Sequence, residues 1–248
     1  MRACLFDLDG VLTKTATVHA AAWKEMFDDF LRAWSEHTGP PFVPFDAHHD
    51  YDRYVDGRPR LDGTRAFVRS RGIELPEGSP GDPPGAWTIR GLGNRKQALV
   101  LERLAQGKIE AYDGSVRYVR AVRAAGLATA VVSSSANTRQ VLEAVGITDL
   151  FDARIDGLVA EERGLAGKPA PDTFLAAAHD LGVEPAAGAV FEDAQAGVEA
   201  GSAGGFAFVV GVDRVGQAAE LRRHGADIVV RDLSELLDDD DEGRDQGA

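Results

Sequence analysis

The chain has 248 residues, of which 44% are hydrophobic and 27% charged, a composition typical of a globular protein long enough to bury a substantial core. Its formal net charge of -13 argues against nucleic acid or an anionic membrane as a partner, because both would repel it. The single cysteine, Cys4, excludes an intrachain disulfide, and the sequence shows neither a signal-peptide pattern nor an apolar run of membrane-spanning length. We therefore expect a cytoplasmic protein.

The first predicted element is a buried strand, Ala3–Phe6, which ends in two carboxylates. Asp7 comes directly after the strand, and Asp9 lies in the following turn beside Gly10. Ligands of open α/β sheets bind outside the carboxyl ends of the strands, so Asp7 lies where chemistry is expected. An Asp-x-Asp-Gly segment is also typical of a simple capped turn, and this stretch alone leaves both interpretations open.

A helical and loop-rich interval follows this strand. The predicted helices are Ala16–Trp34, Asp62–Arg71 and Asn94–Ala105. Two stretches rich in proline, glycine or polar residues, Pro40–Asp52 and Glu77–Gly85, read as loops. The lack of strand-like alternation predicts an inserted helical cap domain over residues 15–108.

The later chain alternates strands and helices, which indicates an α/β fold with a doubly wound, mostly parallel sheet. The predicted strands are Ala128–Val132, Ala153–Ile155, Ala189–Phe191, Phe206–Val210 and Asp227–Val230. The predicted helices are Ser115–Ala125, Ala136–Val145, Asp172–Leu181 and two that begin at Gln195 and Gln217. Residues 1–14 and 109–237 would form this core domain. The acidic tail, residues 238–248, is predicted to be disordered.

Polar residues follow the later strands as well. Ser133 ends one strand, and its hydroxyl together with the backbone N–H groups around Ser134 and Ser135 would bind an anion at a helix N-terminus. A simple N-cap cluster is the alternative interpretation. Lys168 precedes a proline-rich loop that would orient it, although an isolated lysine is more often a solvated surface charge.

The acidic pair Glu192 and Asp193 follows another short strand. Helix capping would explain the pair, but together with Asp7 it also provides the hard oxygen ligands that Mg²⁺ prefers. Carboxylates gathered at one sheet edge repel one another unless cations offset them, and Lys168 and Mg²⁺ would supply that charge. In such a site Asp7 could form an aspartyl phosphate, and Asp9 could act as general acid and base.

Taken together, these residues resemble the four motifs of the haloacid dehalogenase superfamily. The matching residues are Asp7-Leu8-Asp9-Gly10, Ser133, Lys168 and Glu192-Asp193. The resemblance covers nearly the whole chain and implies a Rossmann-type core with a helical cap inserted after the first motif. It also implies that Mg²⁺ is held by Asp7, the backbone carbonyl of Asp9, and the pair Glu192 and Asp193, while Ser133 and Lys168 contribute to catalysis.

The chain is more specifically similar to the β-phosphoglucomutase family. The matching segments are Thr15-Ala16-x-x-His19-x-x-x-Trp23-Lys24, Ser133-x-Ser135-x-Asn137, Gly167-Lys168-Pro169-Ala170-Pro171-Asp172 and Glu192-Asp193-x-Gln195-Ala196-Gly197. The residues that this similarity assigns to substrate binding are Thr15, His19, Arg60, Ser134, Ser135 and Asn137. Arg60, in a Gly-x-x-Arg-x-Asp setting, would bind the distal phosphate of the sugar. His19 could instead be a structural residue of its helix.

Two features depart from the family pattern. Lys14 stands where an acidic residue is usual, and the loop regions Pro40–Asp52 and Ile73–Trp87 lengthen the cap. The resemblance implies a monomeric, Mg²⁺-dependent enzyme that converts β-glucose 1-phosphate to glucose 6-phosphate through glucose 1,6-bisphosphate. A phosphatase of the same fold, acting on a small phosphorylated sugar or metabolite, is the nearest alternative. A non-enzymatic phosphosugar-binding protein is a more remote one.

Overall fold

The computed structural model describes residues 1–107 and 109–237 of the chain. The chain divides into two compact units, one formed by Met1–Thr13 and the chain from Ala111 onward, and the other by Lys14–Glu110. We call the first the α/β unit and the second the helical unit. Among the described residues, no helix is both long and apolar enough to cross a membrane. The tail that was predicted to be disordered, residues 238–248, lies outside the described residues.

The α/β unit is built on a parallel sheet, which has six strands within the described part of the chain. The strands are β1 (Ala3–Phe6), β2 (Ala128–Val132), β3 (Ala153–Ile155), β4 (Gly188–Glu192), β5 (Phe208–Val212) and β6 (Ile228–Val230). Their order is β3-β2-β1-β4-β5-β6, and each neighbouring pair is parallel. The predicted doubly wound sheet is thereby confirmed. Because β1 has β2 on one side and β4 on the other, the strand order reverses at β1, where such folds bind ligands.

The helices are distributed between the two units. In the helical unit they are α1 (Ala16–Thr38), α2 (Arg60–Ser70) and α3 (Ile89–Gln106). In the α/β unit they are α4 (Asp113–Ala124), α5 (Thr138–Val145), α6 (Gly157–Arg163), α7 (Asp172–Asp180), α8 (Gln195–Ala203) and α9 (Ala218–Arg223).

Strand β1 is buried on both faces, which explains its uninterrupted apolar sequence. Leu5 belongs to a core cluster that also contains Val132 and Phe174. The next side chain, Phe6, points to the opposite face and stacks on Phe191 with the ring centroids 4.5 Å apart. This packing on both sides holds the carboxyl end of β1 in a defined position.

The helical unit has its own aromatic core. Phe27 of α1 stacks on Phe45, with the ring centroids 5.2 Å apart, and packs against Phe67 of α2 at 4.1 Å. Helix α1 extends four residues beyond its predicted end at Trp34 and terminates at Gly39, which adopts a left-handed conformation with φ of +93°. The apolar pattern of α1 fades before the helix ends, because its last turn is exposed.

Helix α3 begins at Ile89, five residues before the predicted Asn94. Thr88 caps the helix, since its Oγ1 atom accepts a hydrogen bond of 2.8 Å from the N–H of Gly91. Gly91 lowers the helix propensity of this turn, but a Cβ atom at this position would lie 2.4 Å from the carbonyl oxygen of Ala86. Tertiary contact therefore accounts for a glycine that obscured the start of the helix.

Several short elements were not predicted, among them a π-helical turn and helix α6. A π-helical turn, Tyr51–Val55, begins within the stretch interpreted as a loop. Helix α6 has seven residues and is capped by Asp156, whose Oδ1 atom accepts hydrogen bonds from the N–H groups of Leu158 and Val159 at 3.1 and 3.0 Å. Neither element is long enough to show an apolar periodicity.

Candidate active site

Asp7 and Asp9 emerge from the carboxyl end of β1. The N–H of Asp7 donates to the carbonyl oxygen of Phe191 at 2.9 Å, so the pairing with β4 continues one residue beyond the strand. Asp9 lies in a tight turn closed by hydrogen bonds from the N–H of Thr13 to Leu8 at 2.9 Å and from the N–H of Gly10 to Thr13 at 2.8 Å. Asp7 is therefore fixed by the sheet, whereas Asp9 is carried by a turn, and the two carboxylates project from separate local structures.

Lys168 lies at the centre of a buried ionic cluster. Its Nζ atom donates to Asp7 Oδ1 at 2.5 Å, to Glu192 Oε1 at 2.5 Å and to the carbonyl oxygen of Val132 at 3.0 Å. Its side chain is only 1% exposed, and its ammonium also lies 4.9 Å from the ring centroid of Phe174. These contacts rule out the alternative interpretation of Lys168 as a solvated surface charge.

Burial determines the electrostatics of this cluster. It raises the pKa of Asp7 and of Glu192 above the usual carboxyl range, while the neighbouring Lys168 ammonium opposes the rise. Burial alone would lower the pKa of Lys168, but the two carboxylates outweigh it and raise that pKa above its usual value. An added cation would favour the ionised form of both carboxylates.

Three buried carboxylates lie close enough to bind one metal ion. Asp7, Glu192 and Asp193 each offer a carboxylate oxygen, and these atoms all lie within 4.8 Å of one another. The set consists only of carboxylate oxygens, which fits a hard divalent cation. Gly10 makes room for the cluster, since its φ is +92° and a Cβ atom there would lie 1.7 Å from Asp193 Oδ2.

The segment after β2 is ordered by its own serines. The N–H of Ser135 donates to Ser133 Oγ at 3.1 Å, and the N–H of Asn137 donates to Ser135 Oγ at 3.2 Å. The sequence predicts that the Ser135 N–H faces an anion, but in the structure this group donates to Ser133 Oγ within the loop. Ser133 Oγ also donates to Asp9 Oδ2 at 3.4 Å, which links this segment to the turn after β1. Helix α5 starts at Thr138, two residues later than predicted, because the serines shape the preceding turn.

The remaining predicted site residues, Thr15, His19 and Arg60, belong to the helical unit, so their surroundings are described within that unit. Thr15 and His19 are on the first turn of α1, where the N–H of His19 donates to the carbonyl oxygen of Thr15 at 3.1 Å. His19 Nδ1 lies 2.8 Å from Lys96 Nζ. Burial and the nearby ammonium of Lys96 lower the pKa of His19 well below its usual value, so a neutral imidazole accepts the hydrogen bond from Lys96.

Lys96 was missed by the sequence reasoning. It is buried on α3, at a position of the apolar stripe that also includes Leu92, Leu99 and Val100. Its ammonium lies 4.9 Å from the ring centroid of Trp23. A lysine at a core position of an amphipathic helix is a signal that could have identified it, because lysine is rarely buried without a specific partner.

Arg60 is held by a side chain from a neighbouring helix. Its Nη1 atom donates to Gln97 Oε1 of α3 at 2.6 Å. Nearby Arg58 has a buried Nε atom for which the described residues provide no acceptor. Lys14 forms an ion pair of 2.7 Å with Glu110, and both side chains are about half exposed. Lys14 thus has a local partner, which the sequence did not reveal.

Comparisons with known proteins place these features in context. A family model described as haloacid dehalogenase-like hydrolase matches residues 1–205. The β-phosphoglucomutases of Mycobacterium bovis and Mycobacterium tuberculosis are each 58% identical over 240 residues, covering 96% of this chain and 92% of theirs. Among solved structures, a hydrolase from Pseudomonas syringae aligns with a TM-score of 0.76 at 25% identity, covering 98% of this chain and 99% of that one. The chain therefore belongs to the haloacid dehalogenase-like hydrolase family and is an enzyme of that family.

Proposed function

We propose that the protein is a β-phosphoglucomutase, which transfers a phosphoryl group through an aspartyl phosphate at Asp7. The observation that carries this proposal is the position of Asp7, buried at the switch point of the sheet and bonded to Lys168, with a second carboxylate two residues later. This pairing provides a nucleophile and a separate acid/base. The similarity to β-phosphoglucomutases over 96% of the chain supports the choice of substrate.

In the proposed reaction, phosphorylated Asp7 donates its phosphoryl group to the 6-hydroxyl of β-glucose 1-phosphate. Asp9 takes the proton from that hydroxyl, and glucose 1,6-bisphosphate forms while Asp7 is released as a carboxylate. After the bisphosphate turns around, Asp7 attacks the phosphorus at the 1-position, and Asp9 returns the proton to the leaving oxygen. Glucose 6-phosphate is released and Asp7 is phosphorylated again.

The other residues of the cluster would support these steps. Lys168 is positioned to offset negative charge on Asp7 and on phosphoryl oxygens near it. Ser133, whose hydroxyl donates to Asp9 Oδ2 in this structure, would turn that single donor to a phosphoryl oxygen when substrate is bound. We assign the segment of Ser134, Ser135 and Asn137 to phosphate binding.

Magnesium is the cofactor that we propose for the carboxylate cluster. Asp7, Glu192, Asp193 and the backbone carbonyl of Asp9 would hold it. When bound, Mg²⁺ would offset charge on the carboxylates and on the phosphoryl oxygens. Glu192 is held in place for this role, because its Oε1 accepts from Lys168 and its Oε2 accepts from the N–H of Ala194 at 3.0 Å.

We further propose that the α/β unit is the catalytic core and the helical unit the substrate-recognising cap. Arg60 would bind the phosphate of the sugar that does not react, and Thr15 and His19 would take part in substrate binding. A small phosphorylated sugar is therefore the proposed substrate. The expected monomeric state and cytoplasmic location stay predictions, and light scattering after gel filtration would measure the former.

A phosphatase is the second candidate, because the matching family is described as a hydrolase family. In that case water, rather than a sugar hydroxyl, would discharge phosphorylated Asp7. The test supplies β-glucose 1-phosphate with a trace of glucose 1,6-bisphosphate and follows glucose 6-phosphate and inorganic phosphate in parallel. We expect glucose 6-phosphate to form much faster than phosphate, and α-glucose 1-phosphate to remain unconverted. Phosphate release at an equal or greater rate across a panel of sugar phosphates would replace the mutase with the phosphatase.

A further inference from the structure

The loop between β5 and α9, residues Asp213–Gln217, contacts the turn after β1 and the segment after β4. The loop is stabilised from within, because Asp213 Oδ1 accepts hydrogen bonds from the N–H groups of Gly216 and Gln217 at 2.6 and 2.7 Å. Its two long polar side chains, Arg214 and Gln217, both reach toward the carboxylate cluster. We call residues Asp213–Gln217 the clamp loop.

Arg214 holds the turn that follows the nucleophile strand. Its Nε atom donates to the carbonyl oxygen of Gly10 at 3.0 Å, and its Nη2 atom lies 3.4 Å from that of Val11. The guanidinium is itself fixed by Asp232, whose Oδ2 accepts from Nη1 at 2.8 Å, and by Tyr112, whose ring centroid lies 3.7 Å away. The Arg214 side chain is only 14% exposed, so it is held in one position, unlike a solvated surface arginine.

Gln217 holds the other segment of the cluster. Its Nε2 atom donates to the backbone carbonyl oxygen of Asp193 at 2.9 Å. The Oε1 atom of the same amide is buried and has no donor within the described residues, which costs folding free energy. An apolar side chain at this position would avoid that cost but could not donate to the carbonyl oxygen of Asp193.

The two supported segments meet at Gly10 and Asp193. A Cβ atom on Gly10 would lie 1.7 Å from Asp193 Oδ2, so the backbone of one segment is in contact with the carboxylate of the other. Arg214 and Gln217 each hold a backbone carbonyl at one side of this contact. The clamp loop therefore sets the separation between the turn that carries Asp9 and the carboxylate of Asp193.

We propose that Arg214 and Gln217 are positioning residues that preorganise the divalent-cation site by holding these two segments together. The inference rests on the metal site of the proposed function. Carboxylates that converge without a cation repel one another, and the clamp loop prevents them from separating by fixing their backbones. Replacing a residue that orients a metal ligand commonly lowers the affinity for the metal.

The test compares Gln217→Leu, Gln217→Glu and the wild-type protein by calorimetric titration with MgCl₂ in the absence of any sugar phosphate. Gln217→Leu removes the donor to Asp193, and Gln217→Glu replaces it with an acceptor that repels the carbonyl. We expect Mg²⁺ affinity to fall roughly 10- to 100-fold in both variants.

A second measurement distinguishes positioning from a purely structural role. Thermal unfolding is recorded with and without MgCl₂, and the Mg²⁺-induced increase in Tm should shrink in both Gln217 variants. The matched control is Arg223→Ala, on the exposed face of α9, where Arg223 pairs with Glu220; it should leave Mg²⁺ affinity unchanged.

Wild-type Mg²⁺ affinity in Gln217→Leu would overturn the proposal, as would an equal Tm decrease with and without Mg²⁺. Arg214→Lys provides a further test if it folds, but the conclusion depends on the Gln217 variants because Arg214 makes more contacts. Since the titration uses no sugar, an enzyme that proves to be a phosphatase would still yield a result. A wild-type protein with no affinity for Mg²⁺ would overturn the metal site and this inference together.

Discussion

The predicted site residues of the two units have different charged surroundings. In the α/β unit, one ammonium group, that of Lys168, is shared between the carboxylates of Asp7 and Glu192, and Asp193 lies within 4.8 Å of both. Negative groups therefore outnumber the lysine in this cluster. Such an arrangement favours binding of a further cation.

In the helical unit, two buried or half-buried cations donate to neutral side chains, whereas others there pair with carboxylates, as Arg71 does with Asp50 at 2.6 Å. Lys96 donates to the imidazole of His19, whose lowered pKa keeps it neutral, and Arg60 donates to the amide of Gln97. Neither contact adds a negative charge beside the cation. The proposed function assigns the carboxylates of the α/β unit to the reaction and these two cations of the helical unit to an anionic substrate.

Among the substitutions in the α/β unit, we expect Asp7→Asn to have the largest effect on turnover. The amide cannot form an aspartyl phosphate, so we expect turnover to fall on the order of 10⁴-fold or more. Steady-state assays with β-glucose 1-phosphate measure the loss. Asp180→Asn, which removes a carboxylate paired with Arg163 away from the cluster, should retain activity. Substantial turnover in Asp7→Asn would rule out the covalent mechanism.

Asp9→Asn distinguishes the role of Asp9 from that of Asp7 within the α/β unit. If Asp9 acts as acid and base, the variant should lose on the order of 10² to 10⁴ in kcat while it still binds Mg²⁺, because the backbone carbonyl remains. Calorimetric titration with MgCl₂ measures the binding. Loss of Mg²⁺ affinity in this variant would show instead that the Asp9 side chain holds the metal site together.

On the helical side, Arg60→Ala should raise KM for β-glucose 1-phosphate by roughly 10- to 100-fold, as expected for loss of a hydrogen bond between charged groups. Phosphorylation of Asp7 by acetyl phosphate should be unchanged, because that substrate has no second phosphate. The comparison of the two substrates is the measurement. Equal effects on both would assign Arg60 to the fold, and Arg58 would then be the residue to replace.

Gln97→Glu tests whether the neutrality of the partner matters. The new carboxylate would keep the hydrogen bond to Arg60 but offset its charge, so KM for sugar phosphate should rise about tenfold, which corresponds to about 1.4 kcal/mol. Gln97→Leu should have a smaller effect, and Gln106→Glu at the end of α3 is the matched control. If Gln97→Glu behaves like wild type while Gln97→Leu does not, Gln97 only secures the position of Arg60.

The smallest effect is expected for Lys14→Asp. The substitution removes the half-exposed ion pair with Glu110 and places a second carboxylate near it, so the free energy of unfolding should fall by about 1 kcal/mol. Since Lys14 is already paired locally, the salt dependence of kcat/KM should stay as in wild type. A weaker salt dependence in the variant would show that Lys14 attracts the anionic substrate.

The sheet and the residues at its edge were predictable for a physical reason. Parallel strands share one carboxyl edge, so locating β1, β2 and β4 by their apolar runs also locates Asp7, Ser133 and the acidic pair. Strands β1, β2 and β3 have the predicted bounds, whereas β5 begins at Phe208 and not at Phe206. Its apolar run begins at Phe206, two residues before the paired segment, so the pattern could not identify the first paired residue.

Contacts between polar side chains were less predictable. Gln97 and Arg214 carry no local signal, because glutamine and arginine on a helix or in a loop are usually solvent-exposed. Lys96 was overlooked although it occupies an apolar stripe. In each case the partner lies on another element, and only the packing of that element defines the contact.

The amino-acid sequence by itself determined which chemical groups follow the strands, because strand formation and the placement of Asp7, Asp9 and Glu192 depend on local patterns and on the parallel sheet. Only the tertiary structure decided how those groups are paired. The ammonium of Lys168 lies between two carboxylates, and the clamp loop holds the backbones of Gly10 and Asp193. Such pairing depends on long-range packing, which brings distant side chains to within hydrogen-bonding distance and removes the water that would otherwise screen their charges.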